Sequence, residues 1–163
     1  MNTRQVVSVL LFGIALSGAA LRADEVAPFK GTWEGKTVAA DFSAFPPIVG
    51  VVASGTGEAT QLGHFTMVSP HLNNVFTFEV EGDQNFTAAN GDTLTAHFTG
   101  VFTPHPDGSL ESTIPCTITG GTGRFAGATG EYDFHIVATP LPDGSGYASV
   151  ATIDGVVVTG DSE

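Results

Sequence analysis

Between Gly120 and Gly130 the chain places five glycines in eleven residues, with Arg124 and Phe125 as the only large side chains. The run reads Gly120-Gly121-Thr122-Gly123-Arg124-Phe125-Ala126-Gly127-Ala128-Thr129-Gly130, with strand-like segments on both sides. Glycine is used where a chain turns tightly or passes close to its neighbours. The run therefore reads as a structured connection between two strands. In it Phe125 is the expected loop anchor, inserted into the fold, with Arg124 fixing the loop or facing water.

The rest of the chain beyond residue 23 carries almost no helical period. Strand segments are predicted over 29–38, 48–59, 62–70, 74–81, 85–89, 93–102, 109–118, 131–139 and 146–158. Turn signals separate several of them. Asn90-Gly91 suits a type I′ hairpin turn, Asp107-Gly108 and Asp143-Gly144 each follow a proline, and Gly82-Asp83 is a weaker signal. Period-two alternation then sorts the faces. Phe98 and Phe102 oppose His97 and Thr99; Tyr132, Phe134 and Ile136 oppose Glu131, Asp133 and His135; Phe76 and Phe78 oppose Thr77 and Glu79. One face is aromatic, the other Thr-rich and acidic. Long antiparallel strands in sequence order favour an all-β, roughly eight-stranded up-and-down barrel, which leaves no open edge. Its interior is just wide enough for side chains or one small ligand.

The first 23 residues read as a secretory signal peptide. Arg4 supplies the positive start, Val6–Ala20 is a 15-residue apolar run, and small residues follow, with cleavage expected after Ala20 or Ala23. The run is short for a membrane span. Residues 24–163 are then one β-barrel domain, secreted or periplasmic. Removing the leader leaves Lys30, Lys36 and Arg124 against all 17 carboxylates, a net charge of −14. Such a surface repels phosphate backbones and anionic lipid. Nucleic acid is therefore excluded as a partner, and membrane insertion is not expected. The single cysteine, Cys116, cannot form an internal disulfide and shares a face with Ile114 and Ile118. Asp41–Gly50, with two phenylalanines and two prolines, reads as a stiff apolar loop that plugs or covers one barrel end.

The glycine run resembles the Gly-Gly-Thr/Ser-Gly-x-Phe element of the allene oxide cyclase and dirigent barrel superfamily. Gly57–Thr66 and Ala88–Leu94 are similar to segments of bacterial exported members of unknown role, and the resemblance covers roughly 57–138. Gly31-Thr32-Trp33 is similar to the Gly-x-Trp that opens lipocalin barrels. Both resemblances imply an antiparallel, calycin-type barrel. The residues that serve plant cyclases and dirigents cannot be matched here position by position, so no catalytic residue carries over.

Other chemistries lack their patterns. The glycine run misses a dinucleotide fingerprint and a P-loop. The five histidines show no metal-ligand spacing, so no metal and no cofactor are expected. There is no nucleophile elbow. The expected function is binding of a small, neutral, mostly apolar molecule by a lumen lined with Phe76, Phe78, Phe98, Phe102, Tyr132 and Phe134. An isomerase or cyclase acting on a flexible apolar substrate is one alternative. A structural protein with a packed lumen is the other, and homo-oligomerisation is left open. Cavity volume separates them, about 300 Å³ being the lower bound for a ligand-sized pocket.

Overall fold

The computed structural model describes residues 24–40 and 47–160. The expected leader, and residues 41–46 of the expected plug loop, lie outside the described residues. Nine strand segments follow one another: β1 Glu25–Ala39, β2 Ile48–Ala59, β3 Gly63–Asn74, β4 Glu79–Ala88, β5 Thr93–Val101, β6 Thr103–Pro104, β7 Leu110–Gly121, β8 Thr129–Pro140 and β9 Gly146–Thr159. All pairings are antiparallel and, apart from β5–β7 and the closing pair, join sequence neighbours; β1 closes the sheet on β9 from Glu25↔Thr159 to Val38↔Gly146.

The wall has eight strands, because β5 and β6 are two halves of one. The β5–β7 ladder runs from Leu94↔Gly121 to Phe98↔Cys116, with a register shift at Thr95/Ala96, and stops there. The next β7 residue is Pro115, which has no N–H to donate. The Ser112 hydroxyl instead donates to the Val101 carbonyl at 2.8 Å. Beyond Phe102 the pairing resumes as Thr103↔Glu111 and Pro104↔Leu110. The result is a closed, up-and-down barrel.

Three local readings are corrected. The segments predicted over 74–81 and 85–89 are not two strands. The chain turns at Val75–Phe78, where the Asn74 carboxamide oxygen accepts from the N–H groups of Phe76 (3.0 Å) and Thr77 (3.1 Å). Phe76 is 77% exposed at this turn and Phe78 adopts a positive φ of 59°, so Phe76 lies outside the lumen. Gly82-Asp83 is not a turn but the middle of β4; Gly82 sits opposite His71, whose side chain leaves no room for a Cβ. The Asn90-Gly91 hairpin exists, but only Gly91 has positive φ, which excludes type I′. Pairing ends at Thr87↔Thr93, so the loop is longer than two residues, and Asn90 braces it by accepting from the Asp92 N–H at 3.1 Å.

One barrel end is sealed. It holds the loops at 60–62, 89–92 and 122–128, with Leu62, Phe125 and Ala128 all buried. Phe125 is 1% exposed in a short 3₁₀ turn, Gly123–Phe125. Arg124 lies over its ring at 5.0 Å and reaches Asp92 of the neighbouring loop at 3.4 Å. Above this seal, Phe29, Phe65, Phe86 and Tyr132 pack edge to face with centroids 5.1–6.2 Å apart. Inward glycines make room for these rings: a Cβ on Gly57 would strike Phe65, and one on Gly35 would strike the Trp33 indole.

Candidate functional site

The inward row of β3 changes character along the barrel. Phe65 and Met67, toward the sealed end, are followed by Ser69, His71 and Asn73 toward the other. The same drift occurs on β1, from Phe29 and Trp33 to Thr37, and on β9, from Val157 and Ile153 to Ser149 and Tyr147. The lumen is therefore oily at its sealed end and polar at its far end, where the described 75–78, 105–109 and 141–145 connections lie together with the β1–β2 connection.

A cavity of about 60 Å³ lies inside this far end. Trp33, Phe98 and Phe134 form its aromatic wall, and His71, Asn73 and Tyr147 are among its polar groups. No Asp, Glu, Lys or Arg among the described residues lines it. The volume is well below the 300 Å³ bound, so the middle of the barrel is packed rather than hollow. Larger hollows of about 500 and 590 Å³ are open grooves on the outer wall.

The predicted lumen residues separate accordingly. Phe98, Phe102 and Phe134 line the cavity. Tyr132 lies deeper, where its hydroxyl donates to the Gln84 carboxamide oxygen at 2.6 Å. Phe78 is half-buried at the turn and Phe76 is in solvent. Arg124 belongs to the sealed end and cannot reach a molecule in the cavity. His97 and His135 face outward, beside Asp83 and Glu111 respectively. Among the described residues no cluster of three His, Cys, Asp or Glu side chains is arranged to hold a metal ion.

The polar groups of the far end were hidden by a strand boundary. Predicting β3 only as far as Pro70 put His71 beside a turn and left Asn73 unassigned. The strand continues, because Pro70 points outward and the inward alternation runs through to Asn73. The signal that finds them is the phase set by Phe65 and Met67.

Two features mark these groups electrostatically. Burial lowers the His71 pKa, opposed by a hydrogen bond to the Ser69 carbonyl at 2.9 Å. Two buried polar atoms on this cavity's residues, Trp33 Nε1 and Asn73 Oδ1, make no hydrogen bond among the described residues, and Ser149 Oγ nearby on β9 makes none. Buried polar groups are nearly always paired.

No protein-family model matches the chain, and no curated protein matches it by sequence. Its fold is similar to that of a solved pterocarpan synthase dirigent protein. The two share 14% identity with a TM-score of 0.50, over 87% of this chain and 89% of that one. The likeness establishes a dirigent-like barrel and carries no chemistry.

Proposed function

We propose that this protein is an exported binding barrel whose far end, opposite the sealed one, takes a small, neutral, mostly apolar molecule. One observation carries the reading: an aromatic cavity with no Asp, Glu, Lys or Arg among its described lining residues carries a buried donor atom (Trp33 Nε1) and a buried acceptor atom (Asn73 Oδ1), both unpaired among the described residues. A few convergent polar groups in an apolar wall are what orient a ligand. A carboxylate there would lack a counter-charge, and burying it unpaired is costly.

Volume limits the occupant. About 60 Å³ has room for on the order of four water-sized groups. One end of the molecule then enters the barrel and the rest lies toward the mouth. Folding a flexible substrate for isomerisation or cyclisation needs more space, so binding is favoured over catalysis. The same small volume favours a second reading, a structural barrel with a packed lumen.

Trp33 decides between them, being the chain's single tryptophan and part of the cavity wall. Neutral alcohols, ketones, phenols and terpenoids, with fatty acids as the anionic control, would be titrated against its fluorescence and against the thermal midpoint. Saturable shifts in both with neutral compounds support binding. A flat response across the panel leaves the structural reading. Export rests on Arg4 and the apolar Val6–Ala20 run. N-terminal sequencing of protein recovered outside the cytoplasm should begin at Leu21 or Asp24; retention of Met1 would overturn it.

A further inference from the structure

We infer that His71 is the recognition residue of the far-end cavity: its Nε2 accepts a hydrogen bond from a hydroxyl of the occupant, so the site selects alcohols and phenols over ethers and hydrocarbons and releases them when the imidazole is protonated. This rests on the binding reading above and gives it a ligand class and a condition for release.

The argument begins with the tautomer. His71 Nδ1 lies 2.9 Å from the Ser69 carbonyl oxygen, which can only accept. In the neutral ring Nδ1 must therefore carry the proton, and Nε2 is left as a lone-pair acceptor. Among the described residues Nε2 has no hydrogen-bond partner. The ring is also held in place, edge-on to Phe98 with centroids 5.7 Å apart. Its neighbours across the strands are Val51 of β2 and Gly82 of β4, neither of which offers a polar side chain.

The rest of the cavity completes the pattern. Asn73 Oδ1 is a second acceptor without a partner, and the Trp33 indole N–H is a donor without one. A hydroxyl both donates and accepts, so it matches the acceptors of this lining as well as its donor. An ether or ketone can serve only Trp33, and a hydrocarbon serves neither.

Protonation inverts the site. An imidazolium carries a second N–H in place of the lone pair, so Nε2 then points a donor where a hydroxyl proton was held. Among the described residues no carboxylate lines the cavity to compensate the charge. Tyr147 is the other titratable side chain on the cavity, and Glu79, Glu81 and Asp83 of β4 are exposed on the outer face. Burial already disfavours the charged ring, so the neutral, accepting form prevails at neutral pH and is lost only below the ordinary imidazole range.

The experiment compares benzyl alcohol with benzyl methyl ether on the barrel from Asp24 onward, read by Trp33 fluorescence and calorimetry. The alcohol should bind about tenfold to hundredfold more tightly, since the ether can donate to neither His71 Nε2 nor the buried Asn73 Oδ1. Its affinity should be flat from pH 7 to 8. It should then fall about tenfold per unit below the folded-state pKa of His71, with circular dichroism confirming that the barrel stays folded. His71→Gln keeps an acceptor but cannot titrate, so it should retain the preference and lose the pH dependence. His71→Phe should lose both. Equal binding of alcohol and ether overturns the inference and leaves the pocket reading standing. A preference that persists unchanged in His71→Phe reassigns the acceptor to Asn73 and also overturns it. If neither compound perturbs Trp33, the pocket reading falls and the inference with it.

Discussion

A buried hydroxyl needs a partner, and Tyr132 finds one across the lumen in Gln84, at 2.6 Å. Burial holds the phenol far above its ordinary pKa, so it remains a donor throughout the accessible pH range. Tyr132→Phe should cost about 1–3 kcal/mol by urea unfolding, because the Gln84 amide is then buried unpaired. Adding Gln84→Leu should recover part of that loss. A single Phe variant as stable as the parent would show the bond to be dispensable. Cys116 lies beside the same tyrosine, and desolvation pushes its thiol up to about 12. Since only the thiolate is nucleophilic, iodoacetamide at pH 8 should leave the folded protein unmodified and label it fully in urea. Native-state labelling at the rate of a free thiol would show that this side of the lumen opens. That Cys116 is a small buried hydrophobe was legible from Ile114 and Ile118 alone. The Gln84 partnership was not. Period two tells which face a side chain takes, but not which strand it meets across the lumen.

At the level of elements, legibility followed the period. β5 and β8 were readable because their alternation is unbroken, and their faces stand as the pattern required: Phe98 and Phe134 are buried, His97 and Asp133 exposed. The β3–β4 hairpin was not, for two physical reasons. Asn74 starts its turn through side-chain bonds to Phe76 and Thr77, inside what looks like a continuous apolar alternation. Gly82, which looks like a turn, is a close approach to His71 within a straight strand. The candidate site suffered most from this slip, since its polar residues lie on the extension of β3. Inward glycines on β1 and β2 carry an equally hidden burden, the space for Trp33 and Phe65. Gly57→Ala puts a methyl against the Thr32 carbonyl and the Phe65 ring. It should destabilise by roughly 1–3 kcal/mol, as overpacked cores do, or about 2–10 °C in midpoint. Gly63→Ala meets nothing within 4 Å, but its φ of +65° makes it a control for backbone strain without collision. A Gly57→Ala midpoint no lower than that of Gly63→Ala would mean the aromatic ring moves aside at no cost.

For the whole molecule, up-and-down order makes every wall contact a hairpin except one, the β1–β9 seam that closes the barrel. That seam is long, from Glu25↔Thr159 to Val38↔Gly146, and brings the two ends of the described wall side by side. Directly opposed residues in such a pair have Cα atoms about 5 Å apart, so a linker of about three glycines can join Gly160 to Asp24. New termini belong between Gly144 and Ser145. The turn there is exposed; two backbone bonds close it, Leu141 N–H to the Gly146 carbonyl (2.8 Å) and Gly144 N–H to the Leu141 carbonyl (3.0 Å), and the Asp143 carboxylate accepts from the Ser145 N–H at 3.0 Å and its hydroxyl at 2.7 Å. Those bonds keep the Asp143 carboxyl below the ordinary carboxylate range. Because the group is fully exposed, losing them should matter little to stability. The permutant exchanges one non-local closure for another: β1–β9 becomes a hairpin, and β8–β9 becomes the seam. Loop-closure entropy changes slowly with length, so it should fold to the same far-UV spectrum with a midpoint only a few degrees lower. If it collapses without cooperative unfolding, the 141–145 turn is needed to start the barrel, and closure would then depend on which hairpin forms first rather than on the completed wall.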